Sequence, residues 1–208
     1  MLFRSDNDYW DCSDRINGFS NFTHHFVGLE NHWSQTNSIP GRLERSANRK
    51  ENFALWHKNI LFIGLHMIML HWSEASADWD YIFSENIAWF NSQMDQYGND
   101  ARAVIMFAHC CNGEKNPNGV MFDAFRDRLS VMNIPFIFIH GNGHVYRARQ
   151  PHALFWGNYW NIQVDMGRYA PPLKVTIEAQ NSGTTSSIRN NSSSQHRLNE
   201  FITLDRGL

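Results

Sequence analysis

Two apolar segments of this 208-residue chain run directly into histidine. One is Ala103-Val104-Ile105-Met106-Phe107-Ala108-His109. The other is Pro135-Phe136-Ile137-Phe138-Ile139-His140-Gly141-Asn142-Gly143-His144. Ligands of open α/β sheets bind in the crevice beyond the carboxyl ends of the strands, and imidazole is the commonest metal-binding side chain. His109 and His144 each lie just past such an end. Strands separated by one helix are commonly parallel neighbours, so the two imidazoles can converge. Asp6 and Asn7 from the N-terminal loop, and Asn142 between its two glycines, would add carboxylate and amide groups. Such a mixed N and O set suits Zn, Mn or Fe better than a thiolate site does. Gly141 and Gly143 would let the backbone approach the site closely. Two bridged metals there would activate water and clamp a phosphoryl group for in-line attack.

Plainer readings compete with this one. A single histidine after a strand is most often a satisfied core or loop residue, and only the pair with its Gly-Asn-Gly-His turn rises above that. His24, His25, His32, His57, His152 and His196 have no comparable setting; His66 and His71, near another strand end, rank second. His140-Gly141-Asn142-Gly143 resembles the oxyanion-hole turn of α/β-hydrolases, but that chemistry also needs a G-x-S-x-G elbow. The nearest candidate, Gly18-Phe19-Ser20-Asn21-Phe22, lacks the second glycine. Cys12, Cys110 and Cys111 are an odd count and no disulfide framework. The vicinal pair has no cysteine-rich partner, so it reads as small residues packed at a strand end.

The elements that must position the histidines follow from periodicity. Phe53 to Asn59 and Ile60 to Leu65 read as a hairpin turning at Lys58-Asn59, its second arm apolar on both faces like a central strand. Helical spacing marks 74–96, closed by Gly98, and Met121 to Met132. A short helix is expected near Phe19 to Val27, and an exposed connection over 36–52. Within that connection Arg42, Arg45, Arg49 and Lys50, mixed with Glu44 and Glu51, read as a solvated surface. Residues 159–166 and 173–179 alternate like strands at a sheet edge, separated by Pro171-Pro172, and form the final hairpin of the order expected. Trp156, Tyr159 and Trp160 could line a cleft but are more often core. The Ser/Asn-rich stretch from Gln180 onward reads as disordered. This pattern gives an α/β (α+β) class with a mixed sheet, with residues 1–179 as the domain and 180–208 as a tail.

Composition excludes several classes. A formal net charge of -2 leaves no electrostatic case for nucleic acid. The longest apolar run, Ile60 to Leu70, is too short to span a bilayer. No signal-peptide pattern opens the chain, and the cellular location is left open. The aromatic content of 14% is high and fits either a large core or a concave site.

The motifs together resemble the calcineurin-like metallophosphoesterases. Phe107-Ala108-His109 looks like that family's single-His motif after a strand, and Gly141-Asn142-Gly143-His144-Val145-Tyr146 looks like its later Gly-His-x-His turn. Asp6-Asn7-Asp8, followed by Trp10-Asp11-Cys12, is similar to a variant of its Gly-Asn-His-Glu/Asp motif. Arg49 to Ala54 leading into Ile60 to Leu65 fits the hairpin after it. The resemblance spans about residues 5 to 178. It implies part of a four-layer αββα sandwich of two mixed sheets, acting on phosphate esters. Asp6, His109 and His144 would be metal ligands, Asn142 a weaker one, and Asn7 a catalytic group facing phosphate. The metals would be divalent or trivalent Zn, Mn or Fe, of which the site could hold only one. The family's Asp-x-His and Gly-Asp-x-x-Asp/Tyr motifs have no counterpart before Ser5. The chain is therefore expected to be the second half of such a domain, with an apolar sheet face exposed or covered by a protein partner. Whether it is an enzyme turns on the completeness of the site. The alternative is a non-catalytic remnant that binds a phosphorylated ligand or a protein.

Overall fold

The computed structural model describes residues 13–32, 41–67, 77–109, 119–132, 134–141, 143–150, 158–167, 170–178, 195–199 and 202–207. Helix α1 (Arg15–Phe26) starts at Asp14, whose carboxylate accepts from the Asn17 amide at 3.0 Å. This N-cap satisfies one of the orphan donors of the first turn. Ser20 lies inside α1, not at a strand-to-helix elbow, so the geometry of a serine hydrolase is absent there.

Strands β1 (Arg42–Arg45), β2 (Phe53–His57) and β3 (Ile60–Gly64) form an antiparallel meander. Lys58 and Asn59 both have positive φ, 50° and 60°. That is the two-residue turn whose twist matches the flanking strands, at the place expected. Gly64 stands opposite Phe53, and a Cβ there would fall 2.1 Å from the Phe53 ring. The ring therefore covers the end of β3 because the facing residue has no side chain.

From β3 the chain crosses through α2 (Ala77–Tyr97) to β4 (Ala103–Ala108), then through α3 (Gly119–Ser130) to β5 (Phe136–His140). Strands β3, β4 and β5 are parallel neighbours. Each crossover needs a long connection, which the helix provides. Strand β6 (Arg147–Arg149) then runs along the edge, and β7 (Tyr159–Gln163) enters between β5 and β6. The result is a seven-stranded mixed sheet in the order β1-β2-β3-β4-β5-β7-β6.

Strand β7 does not form the expected edge hairpin with the segment after Pro171-Pro172. Tyr159 and Ile162 are buried, and the strand is interior. The later segment, β8 (Lys174–Ile177), joins a second sheet with β9 (Gln195–Asn199) and β10 (Ile202–Asp205), in the order β8-β10-β9. Parts of the segment expected to be a disordered tail are thus paired strands; residues 179–194 lie outside the described set.

The two faces of the large sheet have different covers. Phe90, Met94, Phe122, Phe125 and Leu129 from α2 and α3 pack on Leu61, Ile63, Val104, Met106, Phe136 and Phe138. On the other face Ile105, Ile137 and Ile162 meet Ile202 and Leu204 of β10, with Val175 and Ile177 of β8 beside them. The apolar face expected to be bare is therefore packed against by the second sheet. Two sheets share one core with helices outside the first. Among the described residues no helix is long and apolar enough to cross a membrane.

Candidate functional site

The carboxyl ends of β3, β4, β5 and β7 lie along one edge of the sheet. Ala108 is in register with His140, which sets His109 beside Gly141. A Cβ on Gly141 would be 3.5 Å from His109 Nδ1, an ordinary contact, so the imidazole lies beside Gly141 with room for a methyl group between them. The chain then turns over the end of β7 to reach β6, because β7 sits between the two strands that the turn connects. Gln163, the last residue of β7, lies under that turn and donates from Nε2 to the Val145 carbonyl at 2.5 Å. A Cβ on Gly143 would fall 2.0 Å from Gln163 Oε1. A close approach that only glycine permits is found at Gly143 alone, and it is to Gln163, a residue outside the expected set; at Gly141 a side chain would fit beside His109.

His144 follows with φ 59° and is exposed. A left-handed histidine is uncommon, and such outliers gather at ligand-binding turns, where the surrounding structure holds them. The two candidate imidazoles thus stand at the close of β4 and just after β5. Asp6, Asn7 and Asn142 lie outside the described residues, as do His71, Cys12, Cys110, Cys111 and Trp156. Among the described residues no group of three or more His, Cys, Asp or Glu is placed to hold a metal ion.

His140, between these candidates in sequence, has a different role. It is buried, stacks on Phe138 at 5.0 Å, and places Nε2 2.8 Å from Asn161 Oδ1 of β7. Its Nδ1 lies 3.2 Å from the Gly141 carbonyl. Burial lowers its pKa, and the positive potential of His109 adds to this against the hydrogen bonds. A neutral ring held through Asn161 ties β5 to β7 directly below the glycine turn. The sequence offered no local signal for this pair, because Asn161 reaches it only through the insertion of β7.

A second polar cluster closes β3. His66, two residues past the strand, is buried and brings Nδ1 to Arg49 Nη2 and, at 3.3 Å, to Glu51 Oε1. That nitrogen can accept from the guanidinium or donate to the carboxylate, not both at once. Arg49 Nη2 also donates to Glu51 Oε1 at 2.5 Å. Burial pushes the Glu51 carboxyl up. The hydrogen bond with His66 and the charges of Arg49 and His66 outweigh it and hold the group at about 2. Asn52 donates to Asn86 Oδ1 at 2.7 Å and accepts from the His66 amide at 2.7 Å, and Asn86 donates to the His66 carbonyl at 3.0 Å. Arg49 and Glu51 are therefore not the solvated surface expected of that charge run. They are opposite charges buried as a pair, with an imidazole and two amides completing the set. Of the residues weighed as cleft lining, Tyr159 is buried in the core and Trp160 is half-buried against the apolar cluster on the opposite face.

No protein-family model, no curated protein and no solved structure matches the chain.

Proposed function

We propose that the chain is a metallophosphoesterase-like domain that hydrolyses phosphate esters with a metal held at the ends of β4 and β5. The observation that carries this reading is the register of the two strands, which seats His109 beside Gly141 of the turn that presents His144. Helices on one face of a mixed sheet and a second sheet on the other agree with part of the αββα sandwich that the sequence motifs suggest. His109 and His144 would hold a Zn, Mn or Fe ion, with Asp6 and Asn142 supplying oxygen and Asn7 facing the phosphate. Neutral imidazole and carboxylate are suitable donors for these ions. A bound ion supplies Lewis acidity toward a phosphoryl oxygen. The residues around it do the positioning: His140 and Asn161 fix the strand ends, and Gln163 supports the turn from below.

The test is hydrolysis of p-nitrophenyl phosphate and bis-p-nitrophenyl phosphate in the presence of added Mn, Zn or Fe. The expected result is turnover that requires the metal and falls by about a hundredfold in His109→Ala. A folded protein without turnover under any of these metals would overturn the catalytic reading. It would leave the alternative, a non-catalytic domain that binds a phosphorylated ligand or a protein partner.

A further inference from the structure

A cavity of about 420 Å³ opens between the two sheets, on the face opposite the helices. Phe107 and Ile139 form one wall from β4 and β5, and Val175 of β8 with Leu173 just before that strand forms the other. These walls are apolar, but one corner is built from charge. Arg206 follows β10 and gives Nε and Nη2 to Asp165 Oδ2, at 3.2 and 2.8 Å. Its guanidinium lies 4.5 Å above the Tyr146 ring, and the Tyr146 amide donates to Asp165 Oδ1 at 3.1 Å. The turn beyond is also fixed: the Gly207 amide donates to Asp205 Oδ1 at 2.9 Å, and Gly207 has φ 65°.

Arg206 is therefore held on two sides, by a carboxylate and by a ring face, with Nη1 not engaged by Asp165. A guanidinium fixed in this way needs little reorganisation to take an anion. The volume lies within the range of about 300–1,000 Å³ usual for small-molecule sites, which pair apolar walls with a few oriented polar groups. We propose that this cavity binds a small aromatic or aliphatic molecule carrying a single anionic group, its apolar body between the sheets and its anion on Arg206. Neither His109 nor His144 lines the cavity, although Phe107 and Tyr146 stand two residues from them in sequence, and the proposal does not depend on a metal.

The test uses matched probes in metal-free buffer with EDTA: 2-naphthoate, 2-naphthyl phosphate and the neutral 2-naphthalenemethanol, titrated into the whole chain by calorimetry. At least one of the two anions should bind about tenfold more tightly than the alcohol, as expected for one charge-assisted contact. The tighter of the two anions identifies the acid as carboxylate or phosphate. Val175→Phe, which fills the cavity, should abolish binding of all three. Arg206→Gln should remove the preference for the anion while leaving binding of the alcohol unchanged. His109→Ala should alter nothing, which separates this site from the proposed metal centre. Equal affinity of acid and alcohol for the wild-type chain would overturn the proposal. So would binding that survives Val175→Phe. Should that variant fail to fold, the Arg206→Gln comparison decides alone.

Discussion

Glu51→Ala is expected to lower the stability of the chain by about 3 kcal/mol or more at neutral pH. The carboxylate is 7% exposed, and its partners Arg49 and His66 are 9% and 3% exposed. Removing it leaves a guanidinium in a poorly solvated place with its counter-charge gone. Removing one partner of a buried pair costs far more than replacing both. The same network predicts an acid transition. A carboxyl at about 2 in the folded state, against an ordinary 4.5, contributes about 3 kcal/mol above pH 5. Because the folded value is the lower one, this contribution is complete above about pH 5. It is lost as pH falls toward 2, where the folded carboxyl takes up its proton. Urea denaturation at pH 7 and at pH 3 measures both effects. The wild-type chain should lose stability between the two, and Glu51→Gln should show a shallower dependence. Equal stability of wild type and Glu51→Ala at pH 7 would mean that the network does not form.

Phe125→Ala should cost about 3–5 kcal/mol, the range for removing a buried aromatic ring. Phe125 is fully buried on α3, 4.4 Å from the Phe90 ring of α2 and 5.7 Å from Phe122. It joins both helices to the face of the sheet that carries Met106 and Phe138. The vacated volume lies among large rings that cannot all move inward, so most of the cavity remains. In a chain of this size the melting temperature should fall by about 10 °C. Val131→Ala, at a position 81% exposed just beyond the same helix, should change stability by no more than about 0.5 kcal/mol. A Phe125→Ala melt indistinguishable from wild type would contradict the packing of α3 on the sheet.

What the sequence revealed about the fold was the local part. The turn at Lys58-Asn59, helices α2 and α3 and the strands ending at Ala108 and His140 each carry their own period or turn chemistry. Where strands pair across long separations, that signal fails. Strand β7 looked like an edge partner of the segment after Pro171-Pro172. It is instead inserted between β5 and β6, strands that no period within residues 159–163 can identify as its partners. The second sheet was hidden for the same reason. Ile202 and Leu204 are scattered apolar residues of a mostly polar tail until they meet Ile137 and Ile162.

The candidate site divides in the same way. His109 and His144 were legible because both follow apolar runs, and the parallel pairing of β4 and β5 brings those runs side by side. The supporting residues were not legible. Asn161 behind His140, Gln163 under Gly143, and the buried Arg49–Glu51–His66 group each join segments far apart in sequence. Composition pointed the wrong way for the last group. Balanced charges in a short loop look solvated unless a buried histidine and paired amides are known to lie against them.

The most direct measurement is the metal content of the purified chain by elemental analysis, on wild type and on a His109→Ala/His144→Ala double variant. Near-stoichiometric Zn, Mn or Fe is expected in the wild-type protein and its loss in the double variant, with the melting temperature of the metal-free forms unchanged. A folded wild-type chain that binds none of these metals, or a double variant that retains them, would contradict the assignment of the strand-end histidines as a metal site.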